Sequence, residues 1–281
     1  MVKPVRLMGQ SPPLPPGRAI RQIVLDGLLG QWRLLAATAI LPLVLALLTD
    51  LTATLILDLR GQRGVVLSVD VLVVALVSFL LIELVIGGLY TTNVARLLGI
   101  GIRQGRLQAS PEWSRAFTNV FIRLVSLYLP GGLILGAGFV GFLLVRAYLP
   151  VPQLAPLLLV IPGLVVLYLY IRFCFVITAA AVGAPYTFGD SMRATGGITV
   201  LMTVLHLVFC VPLIFAQLGL RVSAASASVF GLSYFGYLVL TQVLFVLRVA
   251  VFTVVNLVCF VNRTGWAPGA HRICDHPSRL S

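Results

Sequence analysis

Six long apolar stretches take up most of this 281-residue chain, and only 10% of its residues are charged. A soluble domain carries about 25% charged residues, which cover its surface. Here 59% of the residues are hydrophobic and the mean hydropathy is +1.06. Since a bilayer core takes about 20 apolar residues per helix, the pattern predicts an integral membrane protein.

The apolar stretches predict an all-α, six-transmembrane-helix bundle. Its spans are predicted over residues 34–57, 71–90, 125–145, 154–181, 198–220 and 229–261. Two amphipathic segments, residues 19–33 and the segment that begins after Ser110, are expected to lie as interfacial helices on the cytoplasmic side. The membrane domain is thus predicted over residues 19–261. It lies between a disordered Pro-rich cytoplasmic tail, 1–18, and a second cytoplasmic tail, 262–281.

The basic residues predict the orientation of the bundle. The net charge is +12, from 20 basic and 8 acidic residues. With the N-terminus inside, 14 basic residues fall in cytoplasmic segments and 4 in outer segments. This bias predicts that both termini are cytoplasmic. Because no basic soluble domain is present, the expected partners are membrane lipids, anionic ones included, and nucleic acid is not expected. Arginine accounts for 19 of the 20 basic residues, which is typical of a GC-rich bacterial genome and favours a bacterial inner membrane.

Four ionisable residues lie well inside the predicted spans, away from the span ends, where hydrocarbon makes a charge costly. They are Glu83, Arg172, His206 and Arg248. We expect all four in the cytoplasmic half of the bundle, as a polar site for an anionic headgroup, because arginine offers phosphate a bidentate fork. The alternative is a structural pair between Glu83 and one arginine, with the other arginine extending to the interface.

Gly132 and Gly136 form a G-x-x-x-G pattern in the third span, which predicts close helix packing. Packing within the chain and self-association both remain open, as does a membrane-protein partner. Asp50 and Asp70 lie near the outer ends of the first two spans. They are expected either to cap that hairpin or to form part of a proton or cation path.

The residues from Arg172 to Gly197 carry a resemblance to a known family. They read Arg172-Phe-Cys-Phe-Val-Ile-Thr and then Phe188-Gly-Asp-Ser-Met-Arg-Ala-Thr-Gly-Gly197. This pattern resembles the bacterial family described as the membrane domain of glycerophosphoryl diester phosphodiesterases, which implies six helices with interfacial helices. The family's usual proline after the arginine is absent here, and Thr195 takes the place of its serine. In fused relatives a separate soluble barrel performs the chemistry, so the resemblance does not imply catalysis.

No catalytic or cofactor motif emerges from the sequence, and neither a metal nor another cofactor is expected. The tail residues His271, Cys274, Asp275 and His276 fall short of a defined metal site. The sequence therefore predicts a non-enzymatic membrane protein with an accessory or scaffold role that engages anionic lipid. The alternative is a small transporter or permease-like protein, which would need a polar path through the whole bilayer.

Overall fold

The computed structural model describes residues 15–63, 69–101, 111–148, 157–184, 186–226 and 231–266. Every regular element in these ranges is a helix. The helices are α1 (Pro16–Arg21, continued by a π-helical segment, Gln22–Leu29), α2 (Trp32–Arg63), α3 (Val69–Arg96, continued by a π-helical segment, Leu97–Gly101), α4 (Pro111–Tyr148), α5 (Leu157–Val182), α6 (Phe188–Thr195), α7 (Thr199–Phe209), α8 (Val211–Ser226) and α9 (Leu232–Thr264).

Six helical segments are long and apolar enough to cross a membrane, which confirms the all-α six-helix prediction. They are Trp32–Thr54, Val77–Gly99, Trp113–Arg146, Leu158–Val182, Thr199–Ala224 and Leu232–Thr264. In an apolar 18-residue window of each span, 61% of the residues are buried in the last span, α9, against 6% to 33% in the other five. This chain is therefore a multi-pass membrane protein in which α9 is the central helix.

One end of the bundle, called the basic end below, collects most of the described arginines. It is where α2, α4 and α7 begin and where α3, α5 and α9 end. The arginines there are Arg18, Arg21, Arg33, Arg96, Arg115, Arg123, Arg193 and Arg263. At the opposite end the described side chains include Arg146 and Arg221. The asymmetry expected from the sequence is thus present in the folded chain.

The second span differs from the predicted boundary. It was predicted to end at Tyr90, but the helix continues to Arg96 and the apolar segment to Gly99. Thr92 and Asn93 read as polar in the sequence, yet they are 0% and 1% exposed. The Thr92 hydroxyl donates to the Gly88 carbonyl at 2.7 Å. The Asn93 Oδ1 accepts from the Trp113 Nε1 at 2.9 Å. Because both residues are buried among helices, they do not mark the membrane boundary.

The fifth span is broken, which the sequence analysis did not predict. It consists of α7 and α8, separated by a turn at Cys210. Pro212 explains the break, because its ring removes a backbone donor and clashes with the carbonyl four residues earlier. The Cys210 amide donates to the His206 carbonyl at 2.9 Å, and the Ile214 amide donates to the Cys210 carbonyl at 3.0 Å.

Other boundaries also differ from the predicted ones. Of the predicted tail 1–18, residues 16–18 belong to α1 and residues 1–14 lie outside the described residues. The segment after Ser110 is not a separate interfacial helix, because α4 runs without interruption from Pro111 to Tyr148. Of the tail 262–281, residues 262–264 complete α9. That helix ends at Gly265, whose φ of 66° favours glycine.

Glycines set the packing of α4 against α5, although not the pair that the pattern indicated. A Cβ at Gly138 would lie 2.5 Å from the Leu158 carbonyl oxygen, and one at Gly131 would lie 3.3 Å from Val166. By contrast, Gly132 and Gly136 are exposed and have no neighbouring atom within 4 Å of an added Cβ. The close contact within the chain therefore uses the neighbouring helical face.

We predict that Gly138→Ala lowers the stability of the bundle by about 1–3 kcal/mol, because the added methyl meets the backbone of α5. Gly136→Ala is the matched control, since its methyl enters open space. Thermal unfolding of both variants in detergent checks the difference. Equal melting temperatures would show that α4 and α5 do not pack as described.

Candidate functional site

Arg172 organises the basic end, where α5, α6 and α7 meet. Its backbone carbonyl accepts hydrogen bonds from the Ser191 hydroxyl at 2.8 Å and from the Thr195 hydroxyl at 3.2 Å. Both hydroxyls are buried on α6. They hold this short helix against α5, so the turn that follows α6 comes to lie beside the Arg172 side chain.

A capping box fixes the start of α6. The Asp190 amide donates to the Thr187 hydroxyl oxygen at 3.2 Å, and the Thr187 amide donates to the Asp190 carboxylate at 3.0 Å. Hydrogen bonds from the Thr187 hydroxyl and amide hold the pKa of Asp190 below its usual value, and nearby Arg193 adds to the effect. The arrangement satisfies two amide donors that the first turn would otherwise leave open.

The Arg172 guanidinium lies beside the glycine turn between α6 and α7. Its Nη1 donates to the Thr199 hydroxyl at 3.3 Å, while its buried Nε has no hydrogen-bond acceptor among the described residues. A Cβ at Gly196 would lie 3.3 Å from this Nη1, and one at Gly197 would lie 2.8 Å from Nη2 of Arg263. Both glycines are exposed and carry no side chain. The turn between the two guanidiniums is therefore open.

Arg263 reaches this turn from the end of α9. Its Nε donates to the Ala194 carbonyl at 3.0 Å, and the residue is 9% exposed. At the same turn α7 begins at Thr199, and its N-cap Ile198 offers no side-chain cap. An uncapped helix start presents backbone N–H groups and a partial positive charge. Guanidinium and amide donors together favour an anion with several oxygen atoms.

His206 forms a second polar layer, two helical turns further into α7. The residue is 1% exposed, and its Nδ1 lies 2.7 Å from the Met202 carbonyl oxygen. Because a carbonyl only accepts, Nδ1 carries the proton in this contact. Among the described residues, His206 Nε2 has no hydrogen-bond partner. Nearby, Asn256 donates from Nδ2 to the Tyr170 hydroxyl at 2.9 Å, while its Oδ1 also has no partner among those residues.

The third polar layer lies toward the opposite end and is called the ionic layer, comprising Asp50, Glu83, Arg221 and Arg248. Arg221 donates to Glu83 at 2.9 Å, with 47% and 37% of their side chains exposed. Asp50 accepts a hydrogen bond from Gln242. Arg248 stacks over Phe245 at 5.4 Å and interacts electrostatically with Glu83 and Arg221. Four helices thus contribute two positive and two negative charges, which balance one another.

The structure does not bring the four predicted site residues into one site. Arg172 contacts Thr199, where the fifth span begins, whereas the Glu83 partner Arg221 lies 22 residues further along that span. At about 1.5 Å per residue, the two places are roughly 30 Å apart. The expectation placed Glu83 near the cytoplasmic end because it took Tyr90 as the end of the second span.

The pairs therefore differ from those predicted. Glu83 lies with Arg248 in the ionic layer, His206 lies in the middle layer, and Arg172 is the one member of the predicted four that lies at the basic end. The sequence pattern places Arg221 in an outer loop and gives no site prediction for Gln242, Asn256 or Arg263. Spacing could have revealed the last three, because Gln242, Asn256 and Arg263 fall on one face of α9 at multiples of seven residues.

The remaining predictions concern a metal site and the residues Ser110 and Asp70. Within the described ranges no group of three or more His, Cys, Asp or Glu side chains is suited to a metal ion. The tail residues His271, Cys274, Asp275 and His276 lie outside those ranges, as does Ser110. Asp70 belongs to α3, but its side chain is not among those described.

The separation of the layers makes a prediction about coupling. Glu83→Gln and Arg221→Gln, measured singly and together, should show a coupling of about 1 kcal/mol, because the two charges form an ion pair. Glu83→Gln combined with Arg172→Gln should be additive within about 0.5 kcal/mol, because those residues lie in different layers. Detergent unfolding of all variants measures both cycles, and coupling to Arg172 instead of Arg221 would contradict the layer assignment.

We compared the chain with models of protein families, with curated proteins and with solved structures, and none of them matches it. The resemblance to the phosphodiesterase membrane domain therefore remains a prediction from the sequence.

Proposed function

We propose that this chain is a non-enzymatic integral protein of a bacterial inner membrane, with both termini in the cytoplasm. In this proposal it has an accessory or scaffold role, and its basic end engages anionic lipid headgroups. The family resemblance enters in the same sense, as membership of that family of membrane domains. The observation that carries the proposal is the exposed Gly196–Gly197 turn flanked by the guanidiniums of Arg172 and Arg263.

The position of this turn supports a headgroup as the ligand. The turn lies at the start of the fifth apolar segment, where a membrane boundary is expected. Among the described residues Arg172 has no salt bridge, so its charge is not neutralised by a carboxylate. Phosphate oxygens accept from a guanidinium in bidentate fashion. A lipid phosphate at this height would receive donors from Arg172 and from the uncapped start of α7.

We predict that Arg172→Gln weakens retention of phosphatidylglycerol about tenfold, because a hydrogen bond to a charged group contributes about 1.5–3 kcal/mol. Arg115→Gln is the matched control, since it removes an exposed arginine from the same end. Native mass spectrometry of protein released from vesicles of phosphatidylglycerol and phosphatidylethanolamine measures retention. An equal loss of retained phosphatidylglycerol in both variants would show that net charge alone determines retention. Unchanged retention in both would refute the lipid site.

A second candidate function, transport, is favoured by one observation. Polar side chains of α9 lie at every depth of the bundle, in the order Tyr234, Gln242, Arg248, Asn256 and Arg263. A transporter needs polar groups along its path. Most of these groups are nevertheless occupied by a partner from a neighbouring helix, which favours a structural role for them.

Proteoliposomes with a trapped pH-sensitive dye test the transport candidate for protons. If the protein moves protons, it should dissipate an imposed pH gradient faster than protein-free vesicles, and Asn256→Leu should slow this leak. A wild-type rate equal to that of protein-free vesicles would remove proton transport from consideration.

A further inference from the structure

A groove lies at the junction between the interfacial segment and α2. It has a volume of about 480 Å³ and is lined by residues 29–34. The π-helical segment ends at Leu29, and α2 begins at Trp32. At the bend the Gly30 amide donates to the Leu25 carbonyl at 2.7 Å, and a Cβ at Gly30 would lie 2.8 Å from that oxygen. The tight turn therefore requires glycine, and no side chain at this position fills the groove.

The interfacial segment descends along α9, which gives the depth of the groove. Asn262, near the end of α9, donates to Gln22 at 3.0 Å, and Gly27 lies against Val254, about two helical turns further in. The groove thus lies just inside the basic end, where the first apolar segment starts at Trp32. Tryptophan at such a boundary is typical of the headgroup region.

Arg33 supplies the polar wall of the groove. Its Cζ lies 5.5 Å from the centre of the Trp32 ring, a cation–π arrangement that orients the guanidinium. Within the described residues Arg33 has neither a hydrogen bond nor an ion pair, so its N–H groups remain available. Arg18 and Arg21 add positive charge on the same segment, against the single carboxylate of Asp26.

The other walls are apolar and uncovered. Leu29 and Trp32 are each 59% exposed, and Leu34 is 46% exposed. A soluble anion would satisfy Arg33 but supply no acyl chain for these side chains. A neutral lipid would cover them but leave the guanidinium without a counter-charge. The occupant that satisfies both walls has an anionic phosphate attached to acyl chains.

We propose that this groove binds one phospholipid with an anionic headgroup, with the phosphate on Arg33 and an acyl chain along Leu29 and Leu34. The proposal rests on the proposed function in one respect, namely that the basic end faces anionic headgroups. The site is separate from the Arg172 turn and shares no residue with it.

The test uses the fluorescence of Trp32 in vesicles where brominated lipid replaces part of the phosphatidylcholine. The chain has 3 tryptophans, so the signal that disappears in Trp32→Phe reports this residue. Brominated phosphatidylglycerol should quench that signal with about fivefold higher relative affinity than brominated phosphatidylcholine, as expected for one arginine near an anionic lipid. Arg33→Gln should abolish the preference, and Arg115→Gln should leave it unchanged.

Two results would overturn the proposal that the groove binds an anionic phospholipid. Equal quenching by the two brominated lipids would show no selectivity at Trp32, and a preference that survives Arg33→Gln would place the selectivity elsewhere. Both are distinguishable from failure of the proposed function, because the retention experiment on Arg172→Gln reads a different site. If retained phosphatidylglycerol depends on Arg172 while Trp32 shows no preference, only the groove is refuted.

Discussion

The cost of a polar group in hydrocarbon controls how this bundle is built. Hydroxyl side chains in the spans bond to carbonyls of their own helix, as Thr49 and Thr92 do, whereas larger polar side chains bond to neighbouring helices, and α9 takes part in many of these contacts. Five polar residues of α9 contact four neighbouring helices: Tyr234 and Gln242 meet Thr54 and Asp50 of α2, Arg248 faces Glu83 of α3, Asn256 meets Tyr170 of α5, and Arg263 meets Ala194 of α6. Since the contacts occur at successive depths, they fix both the position and the rotation of the surrounding helices. Burial of α9 follows from this requirement.

Much of the architecture could be predicted from the sequence because the relevant signals are local. Apolar length and the scarcity of charge predict six spans without reference to tertiary contacts. The boundaries were less predictable, and α3 shows why. Thr92 and Asn93 read as the end of a span, yet both are buried by neighbouring helices, which the sequence does not reveal. The break at Cys210 had a local signal in Pro212, but single prolines in other spans, such as Pro42, leave their helices continuous.

The candidate site was less predictable than the fold, because pairing depends on which helices are neighbours. An acid and an arginine in different spans can be assigned a similar depth and still lie at opposite ends. Glu83 was expected near Arg172, but α3 and α8 bring it to Arg221 instead. The Arg172 turn was recognisable from its glycines and hydroxyl residues, whereas the contribution of Arg263 was not. That contribution requires the end of α9 to return to α6, a contact across 69 residues of sequence.

The break at Cys210 separates the mechanical behaviour of the two ends of the fifth span. α7 is anchored at the basic end through Thr199 and Arg172, while α8 carries Arg221 into the ionic layer. A continuous helix would act as a rigid rod, so a tilt at one end would displace the other. At the joint Pro212 provides no backbone donor, so the helix has one hydrogen bond fewer to resist bending there. The break therefore gives the fifth span a point at mid-membrane where α7 and α8 can take different directions, one set by Arg172 and the other by Glu83.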